Sequence, residues 1–210
     1  MVDYRIRDAA ALQALIGDPM EQVRAKVGPQ LNGAMKAFIT SSPLVFLATL
    51  DESGHIDVSP KGDPAGFVEV NDDGNLLIPE RPGNRLTFGF HNILRGGERG
   101  GEIGLIFVVP GQRESLRVKG LATLHNDPDV LARMAVRGKP ALLFTHVAVQ
   151  ECFFHCGKAL IRSSLWQPAN WQQETRSIAA QQMAGQTVPD AARVAQTEAL
   201  LEDSYTNHLY

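Results

Sequence analysis

The spacing of hydrophobic residues in the first forty positions predicts two helices. Apolar side chains recur there at helical spacing in two runs. The members of these runs are Leu12, Leu15 and Ile16, then Leu31, Met35, Phe38 and Ile39. Gly28-Pro29 separates the runs, and both residue types interrupt helices. We therefore expect two N-terminal helices within residues 1–41.

From residue 42 the pattern changes to short apolar segments, several of which alternate apolar with polar residues as strands do. These segments are LVFLATL, HIDVSP, GFVEV, NLLIP, IGLIFVV, SLRVKGLATLH and ALLFTHVAVQECFFHC. The sequences DESG, NDDGN and PGQRE lie between segments and are typical of hairpin turns. The pattern predicts a mainly β fold with flanking helices (α+β), built on six or seven strands in a closed or nearly closed antiparallel barrel.

Further helices are expected between and after the strands, over residues 84–95, 127–137, 171–183 and 190–203. For the second of these, Asn126-Asp127-Pro128 supplies a capping signal and a proline suited to a helix start. No internal repeat or change in composition divides the chain. We expect a single domain, 1–210, with its core at 42–168 and C-terminal helices at 169–210.

Composition narrows the class of protein. With 44% hydrophobic and 20% charged residues in 210, the chain is typical of a globular protein. A formal net charge of −3 argues against nucleic-acid binding, which depends on clustered Lys and Arg, so any anion site must be local. No apolar stretch approaches the roughly 20 residues of a membrane span, and the charged N-terminus differs from a signal peptide. The expected location is the cytoplasm, without membrane contact.

Two cysteines, Cys152 and Cys156, flank His155, and His146 lies nearby. A structural zinc site usually needs four ligands, and the chain has no second cysteine pair. We expect no metal site and interpret the cysteines as small buried thiols of a strand in a reducing compartment.

The first of three polar clusters is HIDVSPKGD, residues 55–63. Alternation places Ser59 on the face opposite Val58, and Pro60 is expected to end the strand pairing, which leaves Lys61 and Gly62 in a turn. A hydroxyl, an ammonium and a glycine backbone in one turn suit a phosphate. The alternative is a polar strand end that faces solvent.

The second cluster is RPGNR, residues 81–85. Gly83 allows close approach to the backbone, and Asn84 and Arg85 are expected to begin a helix, whose N-terminus offers free N–H groups. Arg85 is suited to bind phosphate oxygens, with Asn84 donating beside it. Pro-Gly turns with arginines are also common on surfaces.

The third cluster follows the last predicted strand. Lys158, Arg162 and Trp166 are spaced four apart, which places them on one face if the segment is helical. The indole is suited to stack on an aromatic ligand or to cover the barrel rim. The chain has no GxSxG, P-loop, HExxH or GxGxxG sequence, which favours binding of a ligand or cofactor by the barrel.

The order of these motifs along residues 40–168 resembles the pyridoxamine 5′-phosphate oxidase-like flavin-binding family. The resemblance rests on SPKGD, RPGN, PGQRESLRVKG and FFHCGKALIRSSLW in succession. It implies a split β-barrel that binds FMN at the interface of a homodimer. It also implies that the phosphate is held by the first two clusters, at Ser59, Pro60, Lys61, Gly62, Arg81, Gly83, Asn84 and Arg85.

The same resemblance implies that the third cluster approaches the isoalloxazine or ribityl part of FMN through Lys158, Arg162, Ser163 and Trp166, with the partner subunit as one candidate source of these residues. Arg117, on the polar side of its strand, is expected to help the flavin site or to form an ion pair. The vitamin B6 oxidases end in an Arg- and His-bearing segment, whereas this chain ends in TNHLY. Oxidation of pyridoxamine phosphate itself is therefore not expected.

The implied function is an FMN-dependent oxidoreductase that acts on an unidentified small molecule, with NADH or NADPH as a candidate electron donor. The sequence assigns no catalytic acid or base. One alternative is a flavin-binding sensor or storage protein without turnover. Another is a barrel that binds haem or a deazaflavin, with candidate axial ligands His55, His91, His146 and His155.

Overall fold

Seven strands form one antiparallel sheet in the computed structural model of the chain, which describes residues 3–171, 178–184 and 190–210. The strands are β1 (Leu44–Leu50), β2 (Ile56–Gly62), β3 (Glu69–Val70), β4 (Leu76–Pro79), β5 (Gly101–Val108), β6 (Ser115–His125) and β7 (Phe144–His155). Their order is β2-β1-β5-β6-β7-β4-β3. The predicted strand count and antiparallel arrangement are confirmed.

The described helices are α1 (Ala9–Ile16), α2 (Glu21–Ala25), α3 (Gly33–Ser41), α4 (Phe88–Arg95), α5 (Pro128–Arg133), α6 (Lys158–Arg162), α7 (Ile178–Ala184) and α8 (Ala191–Asn207). Three helices precede the sheet, so the prediction of two was wrong. The break at Gly28 also has a structural role, because Gly28 forms an isolated β-bridge with Cys152 of β7. Of the helix predicted over 171–183, residues 172–177 lie outside the described ranges.

The predicted hairpin turns are confirmed. In DESG the Gly54 N–H donates to the Asp51 carbonyl, and in NDDGN the Gly74 N–H donates to the Asn71 carbonyl. Both glycines have φ near 80°, which a residue without a Cβ adopts freely. At α5 the Asp127 side chain accepts from the N–H groups of Asp129 and Val130, as the capping signal predicts.

The core lies on the concave face of the sheet. It comprises Val45, Leu47, Ile103, Leu105, Phe107, Leu116, Val118 and Val147, covered by Met35 and Ile39 of α3 and Ile93 of α4. Helix α4 is fixed by the Asn92 side-chain amide, which donates to the Thr49 hydroxyl at 3.0 Å. This packing places the segment before α4 beside strand β2.

Ion pairs join the two ends of the sheet. Lys61 at the end of β2 pairs with Glu80 after β4, and Arg81 pairs with Asp63. Within the described part of the chain no backbone ladder joins β2 to β3 or β4. The barrel is therefore split at this seam, and side-chain charges lie where a closed barrel has main-chain hydrogen bonds.

Strand β2 presents its apolar residues to the outside. Ile56 is 69% exposed and Val58 is 60% exposed, whereas Asp57, Ser59 and Lys61 are half-buried on the concave side. The registers Leu47↔Ser59 and Val45↔Lys61 explain this orientation, because Leu47 and Val45 point into the core. None of the helices in the described ranges is long and apolar enough to cross a membrane.

Candidate functional site

Ser59 and Lys61 lie on the last half of β2, at the seam. The expectation that Pro60 ends the pairing was wrong, because β2 continues to Gly62, with Phe46 opposite Pro60 and Leu44 opposite Gly62. Proline is tolerated here because β2 is an edge strand. Gly62 has a packing role, since a Cβ there would lie 3.3 Å from the Pro43 carbonyl oxygen.

The Lys61 ammonium lies between an acid and an aromatic ring. Its Nζ donates to Oε2 of Glu80 and lies 4.8 Å from the centre of the Phe90 ring of α4. The side chains of Lys61 and Glu80 are each 20% exposed. The carboxylate and the ring together fix the position of the ammonium at the seam, close to the protein surface.

Arg81 is largely buried, with a side chain that is 12% exposed. Its Nε donates to Oδ2 of Asp63 at 2.6 Å, and its Nη2 donates to the Met134 carbonyl at 2.7 Å. Its Nη1 is buried and has no hydrogen-bond partner. A buried N–H group without an acceptor is costly, so this atom is suited to an anion that the chain itself does not provide.

Asp63 holds a second partner that sequence reasoning missed. The Tyr210 hydroxyl donates to its Oδ1 at 2.9 Å, while the Asp63 side chain is only 2% exposed. The hydrogen bond to this carboxylate raises the pKa of Tyr210, so the phenol stays protonated around neutral pH. Asp63 belongs to the SPKGD motif, but its contact with Tyr210 leaves no signal in the local sequence.

The segment before α4 is exposed and differs from its predicted form. Helix α4 begins at Phe88, and Arg85 has φ of 60°, a left-handed conformation that interrupts a helix. The Asn84 side-chain oxygen accepts from the Leu86 N–H at 2.9 Å. Asn84 and Arg85 therefore lie in a loop, and the helix-dipole argument for them was wrong. A Cβ on Gly83 would approach only the Arg81 carbonyl oxygen, at 4.0 Å, so this backbone is open.

The third cluster lies on α6 and the segment after it. Lys158 and Arg162 share the helix, but Trp166 does not continue its face, because α6 ends at Arg162 and Ser164 has φ of 52°. The Trp166 indole N–H donates to the Gln112 carbonyl, and the Ser163 hydroxyl donates to that of Leu160. No hydrogen bond or ion pair within residues 3–171 joins this cluster to Ser59, Lys61 or Arg81.

Arg117 lies on the convex face of the sheet, opposite the Ser59 and Lys61 side chains. Its guanidinium carbon is 5.1 Å from the centre of the Phe153 ring, a cation–π contact in place of the ion pair that was the alternative. It lines a cavity of about 520 Å³ whose other walls include Phe46, Val58 and Ile106.

The histidines and cysteines are dispersed. His55 pairs with Asp51 in the β1–β2 turn, His91 contacts Thr87, and burial together with His125 lowers the pKa of His146. Within the described ranges no three His, Cys, Asp or Glu residues are placed to hold a metal. Cys152 is buried, which raises the pKa of its thiol, but Cys156 is exposed, contrary to expectation.

Comparison with known proteins gives one sequence match. The sequence model of a protein family described as pyridoxamine 5′-phosphate oxidase matches residues 31–156. None of the curated proteins matches.

Several solved structures are similar. HupZ of Group A Streptococcus is 18% identical, covering 60% of this chain and 94% of that one, with a TM-score of 0.46. A putative pyridoxamine 5′-phosphate oxidase of Lactobacillus delbrueckii is 23% identical, covering 60% and 95%, with a TM-score of 0.46. An FAD binding protein of Mycobacterium smegmatis is 14% identical, covering 60% and 94%, with a TM-score of 0.41.

Proposed function

Because the chain belongs to the pyridoxamine 5′-phosphate oxidase family, we propose that it binds FMN and acts as an FMN-dependent oxidoreductase. The observation that carries the proposal is the buried Nη1 of Arg81, a donor without an acceptor. Lys61 lies beside it at the seam, joined to Glu80, the residue before Arg81. A phosphate group would provide an oxygen acceptor for this unpaired donor at the seam.

The charges around Arg81 suit a phosphate. Lys61, Arg81 and Arg85 are cations, and Asp63 and Glu80 are the acids of the same seam. Asp63 pairs with Arg81 and Glu80 pairs with Lys61, so each acid fixes the orientation of one cation. The exposed loop at Gly83, Asn84 and Arg85 leaves room for further donors to approach an anion.

When bound, FMN supplies hydride or electron transfer, and the protein supplies binding, orientation and electrostatics. Ser59, Lys61, Arg81 and Arg85 hold the phosphate end. Lys158 and Arg162 are cations suited to lie near the flavin ring, where negative charge develops on reduction. Since the third cluster is not joined to the first two within the chain, we propose that it comes from the partner subunit of a homodimer.

An exposed apolar surface on the convex face supports the dimer. The pairings Leu50↔Ile56, Ala48↔Val58 and Phe46↔Ile106 make it continuous across β2, β1 and β5. Contiguous apolar patches of this kind usually mark an interaction site. A second copy of the chain on this surface also covers the 520 Å³ cavity that contains Arg117.

The test of the proposed function is flavin binding by the purified protein. Apo-protein is titrated with FMN and with riboflavin, and quenching of flavin fluorescence gives the two dissociation constants. We expect much tighter binding of FMN, because riboflavin lacks the phosphate. Absence of binding to either flavin contradicts the proposal. Anaerobic mixing with NADH or NADPH, read as bleaching of bound flavin, then separates an oxidoreductase from a passive flavin binder.

Arg85→Ala is expected to weaken FMN binding by roughly 10- to 150-fold, the loss of a charge-assisted contact of about 1.5–3 kcal/mol. Riboflavin binding should stay unchanged. Arg95→Ala, at the exposed C-terminal end of α4, is the control and should bind FMN as the unaltered protein does. An Arg85→Ala protein with unchanged FMN affinity places Arg85 outside the phosphate site.

Val58→Asp is expected to convert a dimer to a monomer, because it buries a charge without a partner in the proposed apolar interface. Val58 is 60% exposed in the single chain, so the fold itself should survive. Leu142→Asp, at a comparably exposed site (58%) whose main-chain N–H donates to the Glu80 carbonyl and which is not among the lining residues of the cavity, is the control. Light scattering measures the mass in solution. If the Val58→Asp protein is still a dimer, this surface is not the dimer interface.

A further inference from the structure

Tyr210 contacts three residues that are distant from it in sequence. Its hydroxyl donates to Oδ1 of Asp63 at 2.9 Å, its ring lies 5.0 Å from the guanidinium carbon of Arg137, and its main-chain oxygen accepts from Nζ of Lys139 at 2.5 Å. Three different parts of the residue are thus held. This number of contacts fixes the tyrosine rather than letting it lie loosely on the surface.

The same Asp63 carboxylate fixes Arg81. One oxygen accepts from the Tyr210 hydroxyl, and the other accepts from Arg81 Nε at 2.6 Å. Arg81 Nη2 donates to the Met134 carbonyl, so with Nε and Nη2 both occupied the planar guanidinium has one possible orientation. That orientation determines where the unpaired Nη1 points.

We propose that Tyr210 is a positioning residue for the flavin phosphate site, acting through Asp63 to hold Arg81 Nη1 toward the phosphate. The inference rests on the proposed function, because it takes Nη1 as a phosphate donor. Without the hydroxyl, Asp63 keeps one partner and its carboxylate is free to turn. The Arg81 guanidinium then no longer has a fixed acceptor to set its orientation. Part of the free energy of phosphate binding is spent on restoring that orientation.

The proposal predicts a loss confined to the phosphate end of the ligand. Tyr210→Phe removes one oxygen atom and keeps the ring under Arg137. We expect FMN binding to weaken by about three- to tenfold, less than the loss of a direct hydrogen bond to a charged group, because Tyr210 acts through Asp63. Riboflavin binding should not change. Tyr205→Phe, on the exposed part of α8, is the matched control and should alter neither constant.

A double-mutant cycle tests whether the effect passes through Arg81. In an Arg81→Lys background, where the fork is absent, Tyr210→Phe should change the FMN-to-riboflavin affinity ratio by less than about twofold. An equal loss in both backgrounds overturns the proposal, because Tyr210 then acts elsewhere. If Tyr210→Phe does not fold, Lys139→Met releases the main-chain oxygen of Tyr210 and should lower the same ratio, and an unchanged ratio overturns the proposal.

The outcomes separate the inference from the proposed function. If the unaltered protein prefers FMN to riboflavin and Tyr210→Phe retains the full preference, the role of Tyr210 is overturned while the phosphate site stands. If the unaltered protein binds the two flavins equally, the phosphate site and the role of Tyr210 are overturned together.

Discussion

Arg81→Ala is expected to lower the free energy of unfolding by about 3–5 kcal/mol and to lower the preference for FMN over riboflavin at least as much as Arg85→Ala does. The large effect on stability arises because Asp63, with a side chain only 2% exposed, would keep its charge in a buried position without its main partner. The effect on binding arises because the Nη1 donor is removed. Urea unfolding of the apo-protein and the two flavin titrations measure these effects separately.

Arg133→Ala is the matched control for the stability measurement. Arg133 also pairs with a carboxylate, Glu69, at 2.7 Å, but its side chain is 55% exposed. Exposed ion pairs contribute about 0–1 kcal/mol, so its loss should be several times smaller than that of Arg81. Equal losses in the two variants would show that the Arg81–Asp63 pair is no more buried in solution than a surface pair.

Gly120→Ala is expected to destabilise the protein by about 2–4 kcal/mol, the cost of forcing an atom into a packed site. Gly120 lies where the β6–β7 register shifts, and a Cβ there would lie 2.1 Å from the Ala148 carbonyl oxygen. That atom belongs to the backbone of the adjacent strand, so it cannot move aside as a flexible side chain can. The change should therefore affect both strands.

Gly104→Ala is the control for this substitution. It is also a strand glycine, but a Cβ there would lie 3.9 Å from the Ala48 Cβ, an ordinary contact. We expect its free energy of unfolding to stay within about 1 kcal/mol of the original, as an unstrained glycine replacement should. A Gly120→Ala protein as stable as Gly104→Ala would contradict the close approach of β7 at the bulge.

The sheet could be predicted from the sequence because its signals are local. SLRVKGLATLH alternates apolar with polar residues except at Leu121, and it became β6 with the same bounds, Ser115–His125. The turn sequences carry glycines at positions that need positive φ. Helix starts were harder to predict: nothing in RPGNR reveals that Arg85 adopts a left-handed conformation, so the helix expected from residue 84 begins at Phe88.

The candidate site was predictable only in its residue types. Lys61 and Arg81 could be chosen as cations next to hydroxyl and amide groups, but their pairing with Glu80 and Asp63 depends on how the two ends of the sheet meet. Tyr210 is 147 residues from Asp63, a separation at which sequence patterns carry no information without related sequences. The orientation of β2 was likewise decided by its partner β1 rather than by its own alternation.

Pro60 has a consequence for how copies of the chain can associate. In the described part of the chain the other side of β2 has no main-chain ladder and faces the seam with Glu80 and Arg81. Proline is accommodated in such a strand with its nitrogen facing away from the neighbouring strand. Pro60 therefore removes one N–H donor from the main-chain groups with which a strand of another molecule would have to pair. With an apolar face beside a blocked edge, face-to-face contact that closes at two copies is favoured over edge-to-edge growth into open-ended fibres.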